Sequence, residues 1–280
     1  MTQDRLLRGI AGDFRVAIAV TTATTAEAVR LHDPSPIGGV ALARALTSVA
    51  LMGITGKEGR RLSAQWMGRG ELGSLHADLQ APGSLRAYFT GSGEARSIPD
   101  SFGRGGLLSV ISQQDDGTFS QSQVALSGRC VDSDMEGYLK DSNQVASMLR
   151  VLVDLDDELR PGAVAGVLLQ ALPGGDKAAV RTMVSEALSN RTLPADLPID
   201  ELIRQGIPGL PEVEWMFEAP LIWRCPCSRE RIESGIRLLG REELTEMLDL
   251  KETTEVRCEF CTALYRFTLQ DLAALRDGLA

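Results

Sequence analysis

A chain of 280 residues, 44% hydrophobic and 24% charged, is long enough to bury a sizeable core and too apolar to be disordered. Its formal net charge of −9 argues against a phosphate-binding surface as its main business, because neutralising phosphates takes clustered Lys and Arg. The opening MTQDRLLRGIAGDF lacks the apolar core of a signal peptide, so a cytoplasmic protein is expected.

In chain order, Phe14–Thr21 alternates as a strand and Thr25–Leu31 reads as a helix. Ile37–Ile54 resembles a membrane span in hydropathy. Arg44 and two glycines interrupt it, and Ser35-Pro36 supplies an N-cap with proline at the first helical position. The expectation is a buried helix over Ile37–Met52 and no membrane partner. Arg61–Met67, Leu75–Leu79, Leu85–Thr90, Leu107–Gln113 and Thr118–Leu126 come next as short strands. Gly68-Arg-Gly70-Glu-Leu-Gly73 matches GxGxxG, but the residues after Gly73 alternate like a strand, so a glycine-rich hairpin is expected rather than a nucleotide site. A helix at Asp134–Leu149 and strands at Val151–Leu155 and Ala163–Leu172 complete an N-terminal domain of residues 1–175. Strands outnumber helices and come in consecutive runs, which points to an α+β class with a mixed sheet domain.

Between 176 and 220 the composition changes: Pro194, Pro198, Pro208, Pro211 and Pro220 are five of the chain's twelve prolines. Only short helical pieces fit between them, at Lys177–Leu188 and Ile199–Gln205, and such pieces depend on packing against something else. This stretch is read as a metastable helical linker. Residues 221–280 form a third unit. Ser228 caps a helix with apolar face Ile232, Ile236 and Leu239, ending at Gly240, and Glu242–Leu248 forms a second turn of helix. Strands at Glu255–Cys258 and Leu264–Phe267 flank a tight turn, and Thr268 caps a last helix that stops near Gly278. With so few large apolar side chains, this unit calls for a metal staple.

The ligands for one are present. Cys225-Pro-Cys227 and Cys258-Glu-Phe-Cys261 are four of the five cysteines, and two close-set pairs converge naturally on one tetrahedral ion. Four soft thiolates select zinc or an iron–sulfur cluster, and no cluster spacing is present, so one Zn²⁺ per chain is expected. Buried thiols or two ordinary disulfides are the alternative. Arg224, Arg229, Arg231, Arg257 and Arg266 crowd the cysteines, either favouring thiolate or merely solvating a small surface. Cys130 has no cysteine or histidine near it in sequence, and no nucleophile elbow, P-loop or acid pair suggests an enzyme.

Cys225-Pro-Cys-Ser-Arg-Glu-Arg231, with Cys258-Glu-Phe-Cys261 and Tyr265-Arg-Phe267 after it, closely resembles the redox switch of the thirty-three-kilodalton heat-shock chaperone family. Pro161-Gly-Ala-Val-Ala-Gly-Val-Leu-Leu-Gln-Ala-Leu-Pro173 is similar to the segment that closes that family's N-terminal domain, so the likeness spans essentially the whole chain. The chain departs from it at Thr262, where members often have glycine, and at Tyr138-Leu139, where they often have Tyr-Phe. The resemblance implies an ATP-independent holdase, inactive while reduced and zinc-bound. Oxidation would join Cys258 to Cys261 and then Cys225 to Cys227, releasing zinc. The linker would then unfold, and apolar surface would hold unfolding clients under oxidative and heat stress, with homodimerisation on activation.

Two other classes compete. A nucleic-acid-binding zinc ribbon is disfavoured because residues 221–280 carry nine Lys/Arg against eleven Asp/Glu and no basic stripe. A thiol–disulfide oxidoreductase would place its CxxC at the start of a helix, whereas this one lies between strand-like runs. A zinc adaptor without a switch has the same spacings as a switch.

Overall fold

The computed structural model describes residues 3–53, 61–80, 83–97, 101–103, 105–113, 116–128, 130–142, 146–173, 175, 198, 201, 207 and 209–279. The expected helices Lys177–Leu188 and Ile199–Gln205 lie outside that set, apart from residue 201. The chain divides into two compact units, Met1–Arg224 and Cys225–Ala280.

Two sheets and one helix organise the first unit. The five-stranded antiparallel sheet runs in the order β10-β1-β2-β9-β8, from β1 Arg5–Ala11, β2 Phe14–Val20, β8 Ser147–Leu155, β9 Pro161–Ala171 and β10 Glu214–Pro220. The six-stranded sheet runs β11-β5-β4-β3-β6-β7, from β3 Leu62–Met67, β4 Ser74–Gln80, β5 Ser84–Phe89, β6 Leu107–Gln113, β7 Phe119–Ala125 and β11 Ile222–Trp223. Helices α1 (Thr22–His32), α2 (Pro36–Met52) and α3 (Val131–Ser142) belong to the same unit.

Helix α2 contributes to a single core shared by both sheets: Leu42, Leu46, Val49 and Leu51 join Ala17, Ala19 and Leu168 of one sheet and Trp66, Leu75 and Leu108 of the other. A helix enclosed in this way must be apolar on all sides, which accounts for its membrane-like hydropathy. Among the described residues no helix is long and apolar enough to cross a membrane. The Ser35 hydroxyl caps α2 by accepting from the Gly38 N–H, with Pro36 at the start, as its sequence signals. Small residues bring helix and sheet together: a Cβ on Gly166 of β9 would lie 2.5 Å from Thr47 Cγ2 and 3.0 Å from Leu51 Cδ1. The Arg44 guanidinium, the one cation in α2, pairs with the buried carboxylate of Asp132 at the start of α3.

Strand β2 is buried on both faces, because a second apolar cluster lies on the far side of its sheet. There Val16, Ile18, Val167 and Leu169 meet Ile207, with Leu210, Val213 and Trp215 packed beside them. Helix α1 is capped from a distance, by Asp4, whose carboxylate accepts from the N–H groups of Ala23 and Thr24 at 2.9 and 2.6 Å.

Several expectations need correction. The α3 helix ends at Ser142, and Ser147–Leu149, expected as its last turn, open strand β8. Met148 and Leu149 enter cores on opposite faces of the sheet, and their pairing with Leu169 and Leu168 overrides local propensity. Strand β1 was hidden by Arg5 and Arg8 and by a bulge at Arg8/Gly9. Strand β10 lies inside the stretch read as helical linker, where Glu214-Trp-Met-Phe-Glu218 alternates between exposed and half-buried. The GxGxxG segment is a hairpin turn, with β3 and β4 antiparallel and the Gly68 N–H donating to the Gly73 carbonyl.

The second unit consists of α4 (Arg229–Arg237), α5 (Arg241–Asp249), the hairpin β12 (Thr254–Arg257) and β13 (Leu264–Phe267), and α6 (Leu269–Asp277). Its buried apolar core among the described residues is Ile236, Leu244, Phe267, Leu272 and Leu275. Ser228 caps α4 and a Thr268/Asp271 capping box opens α6, both at the expected positions. Leu239, placed on the apolar face of α4 by its spacing, is instead half-exposed, because α4 ends at Arg237 and the chain turns through Gly240 at φ 94°.

Gly166→Ala tests the sandwiching of α2. The added methyl cannot be accommodated without moving Thr47 and Leu51, so unfolding free energy should fall by about 1–3 kcal/mol. Urea denaturation followed by far-ultraviolet circular dichroism would measure it, and an unchanged midpoint would contradict the packing described.

Candidate metal centre

Two pieces of chain bring the cysteines together. Cys225-Pro226-Cys227 precedes the Ser228 cap of α4, and Cys258–Cys261 forms the tip of the β12–β13 hairpin. The tip is closed by backbone hydrogen bonds, from Thr262 N–H to the Cys258 carbonyl at 2.8 Å and from Cys258 N–H to the Ala263 carbonyl at 2.9 Å. Thr262 has φ +58°, the left-handed region. That conformation explains why glycine suits this position and why a β-branched residue there is strained.

All four Sγ atoms lie within 4.8 Å of one another. Cys225 and Cys258 sulfurs are 3.6 Å apart and those of Cys227 and Cys261 3.2 Å apart, so close contacts cross between the two motifs. A tetrahedral ion with metal–sulfur bonds of about 2.3 Å has sulfur–sulfur edges of about 3.8 Å, and the observed cluster is of that size. The four residues fit a single thiophilic metal. His32 and His76 belong to the first unit.

The thiols are not equivalent. Burial pushes the Cys225 and Cys261 thiols up from their ordinary value. Burial is also the largest influence on Cys227 and raises it, but hydrogen bonds from the Tyr265 hydroxyl and the neighbouring thiols together outweigh it, so Cys227 is lowered. The Tyr265 hydroxyl donates to Cys227 Sγ at 3.1 Å and is itself raised to about 12, chiefly by that bond. Tyr265 and Phe267 stand two apart on β13, the spacing that puts both on one face. Phe267 fills the small core while Tyr265 reaches the sulfurs. The alternation was legible in Tyr-Arg-Phe, although the hydroxyl's role was not.

Structure also separates the roles of the arginines. Arg229 pairs with Glu233 and Asp271 at 3.0 Å each, and its guanidinium lies 4.5 Å from the Phe267 ring centroid. Arg266 pairs with Glu255, and Arg231 donates to the Pro226 carbonyl at 3.3 Å. These contacts tie the fold around the sulfurs together. Cys130 lies in the first unit, half-buried, 2.9 Å from the Ser133 hydroxyl, with its thiol raised by burial. It is a bystander to the cluster.

An α+β body followed by a small unit with four convergent thiols at metal-binding distance defines a two-unit protein with a tetrathiol cluster. The chain matches the Hsp33 protein family over residues 4–268, and it belongs to that family. It is 33% identical to the 33 kDa chaperonin of Syntrophotalea carbinolica, covering 94% of this chain and 95% of the relative. It is 31% identical to the 33 kDa chaperonin of Staphylococcus carnosus, covering 100% and 99%. The crystal structure of the 33 kDa chaperonin from Thermotoga maritima shares its fold with a TM-score of 0.84 at 22% identity, covering 99% of this chain and 98% of that one.

Thr262→Gly should relieve the left-handed strain by about 1 kcal/mol and tighten metal binding roughly fivefold. Competition with a chelating indicator measures it. Unchanged or weaker affinity would mean that the hairpin tip carries no strain at Thr262.

Proposed function

We propose that this protein is a redox-regulated, ATP-independent holdase, held inactive by one Zn²⁺ on Cys225, Cys227, Cys258 and Cys261. The observation that carries the reading is the convergence of four thiols in a unit with a core of five buried apolar residues. A structural zinc site contributes about 10–16 kcal/mol to folding, as much as or more than the roughly 5–15 kcal/mol stability of a typical domain. When bound, the ion holds the CxC segment against the hairpin tip and keeps all four sulfurs as thiolates. Tyr265 then steadies one of them by donating a hydrogen bond.

Peroxide provides the oxidant. Each pair of zinc-bound thiolates gives up two electrons to one H₂O₂, which takes two protons from solvent, forming one disulfide and two waters and releasing the ion from that pair. The pairs are those implied by the family resemblance, Cys258–Cys261 and Cys225–Cys227. Once the sulfurs are tied to each other they no longer serve as a tetrahedral donor set, and residues 225–280 lose their staple. As the family resemblance implies, the linker, residues 176–220, then unfolds, and apolar surface is freed for unfolding clients. Activated chains pair as homodimers, and the setting is the reducing cytoplasm, where such a switch stays off until stress. Thiol–disulfide exchange is the weaker reading, because Cys258–Cys261 is a hairpin tip and opens no helix whose N-terminus would activate a thiolate.

Light scattering from a thermally aggregating client tests the proposal. Reduced, zinc-loaded protein should leave aggregation unchanged, and peroxide-treated protein should suppress it at near-stoichiometric ratios without ATP. Cys258→Ser should lose most of its zinc by elemental analysis. Equal suppression by both redox forms, or full zinc in Cys258→Ser, would defeat the switch.

A further inference from the structure

Residues 213–224 form a strap along the first unit that ends at the residue before Cys225. β10 lies antiparallel to β1, from Arg5 opposite Pro220 to Ile10 opposite Glu214. β11 comes immediately after it, parallel to β5. One short segment therefore supplies an outermost strand to each sheet. Between the two, Leu221 is buried and its N–H donates to the Asp4 carbonyl at 3.0 Å. The N–H groups of Ile222 and Arg224 donate to the carbonyls of Gly83 and Leu85 at 2.9 and 3.0 Å.

The strap's side chains alternate. Trp215, Phe217 and Ala219 are half-buried, whereas Glu214, Met216 and Glu218 are exposed. Trp215 packs on the outer apolar cluster, Phe217 and Trp223 pack on the central core, and the Arg8 guanidinium lies 5.1 Å from the Phe217 ring centroid. Two glycines make room for it. A Cβ on Gly9 would lie 2.4 Å from the Glu214 carbonyl oxygen and 2.7 Å from Val213 Cγ1; one on Gly83 would lie 2.1 Å from the Pro220 carbonyl oxygen. At both positions the nearest atoms belong to the strap. The body is thus shaped to receive an extended backbone with apolar side chains at every second position, and lifting the strap would leave two strand edges unpaired.

We propose that the edges of β1 and β5 under residues 213–224 are the client-binding site. The strap occupies it in the resting protein, and an extended segment of an unfolding protein, aromatic or aliphatic at alternate positions, adds as a strand in its place. This rests on the holdase reading above and names what that surface recognises. Main-chain hydrogen bonds supply affinity for any extended chain, and alternate shallow pockets favour apolar side chains, a combination suited to clients of unrelated sequence. Unfolding proteins present such segments, and folded ones do not.

The test uses the full chain and a fluorescein-labelled peptide of residues 213–224, with binding read by anisotropy. Leu221→Ala is the lever: it removes the strap's buried anchor between β10 and β11 and leaves the edges of β1 and β5 unaltered. Reduced, zinc-loaded Leu221→Ala and oxidised wild type should each bind the peptide roughly tenfold or more tightly than reduced wild type. Bound peptide should slow amide exchange in β1 and β5. Gly9→Ala, whose added methyl meets the Val213 and Glu214 atoms of strap and peptide alike, should weaken peptide binding to the oxidised chain. Peptide that fails to bind oxidised wild type, binds every form equally, or leaves β1 and β5 amides unprotected overturns the proposal. So does a Leu221→Ala dimer that excludes the peptide, which would give the edges to a second copy of the chain. Peptide binding as expected without suppression of client aggregation supports the strand site and defeats the holdase reading. Suppression of aggregation without β1 and β5 protection does the reverse.

Discussion

Convergence of four sulfurs within 4.8 Å of one another is the feature on which the proposed role of residues 225–280 depends. The sulfurs join a segment that leads into α4 to a hairpin tip more than thirty residues later in the chain, and they do so in a unit whose own apolar core is small. The surrounding contacts serve that junction. Ser228 starts α4 immediately after the CxC pair, Arg229 braces α4 to the start of α6 through Asp271, and Tyr265 presents its hydroxyl to Cys227 while its neighbour on the same face fills the core. Under the proposed function, this unit has one weak point, and it is a chemical one: thiolates that bind a soft metal well are also the groups that oxidants attack, which would put stability and sensitivity in the same four atoms.

The first unit is built on a different principle. Helix α2 is enclosed by apolar side chains from both sheets, and its stability comes from burial rather than from any single bond. Both sheets share the strap: β10 and β11 close one edge of each, held largely by main-chain hydrogen bonds and half-buried aromatics. Edges covered in this manner are satisfied without being permanently committed, because the groups that pair with the strap will pair with any other extended backbone. The strap is joined covalently to Cys225, the first of the four sulfur-bearing residues.

Much of this was legible in the residues. Cysteine spacing located the cluster because thiol convergence is a local property of two short turns. The caps at Ser35, Ser228 and Thr268 were readable because a hydroxyl before an apolar run has one good use. The buried nature of α2 follows from Arg44 and two glycines inside an otherwise apolar stretch that opens on Ser35-Pro36. The features that escaped were set by partners distant in sequence. Strand β1 carries two arginines and a bulge, and its strand character comes from pairing with β2 and β10. Strand β10 alternated clearly but lay among prolines, which drew attention to breaks rather than to the run between them. Ser147–Leu149 continued a helical pattern until β9 claimed them, and Leu239 kept its helical spacing past the helix's end. Tyr265's bond to Cys227 depends on hairpin register, which residue types do not report.

Hydrogen exchange on the full chain, reduced and zinc-loaded against peroxide-oxidised, tests most directly whether the sulfurs govern folding. Local opening free energies report each segment separately, so the two units are read in one experiment. The account predicts that amides of α4, α5, α6 and the β12–β13 hairpin lose their protection on oxidation, that those of β10 lose theirs in turn, and that those of α2, β2 and β9 keep theirs. Protection of α4 to α6 that survives both oxidation and loss of zinc would contradict it.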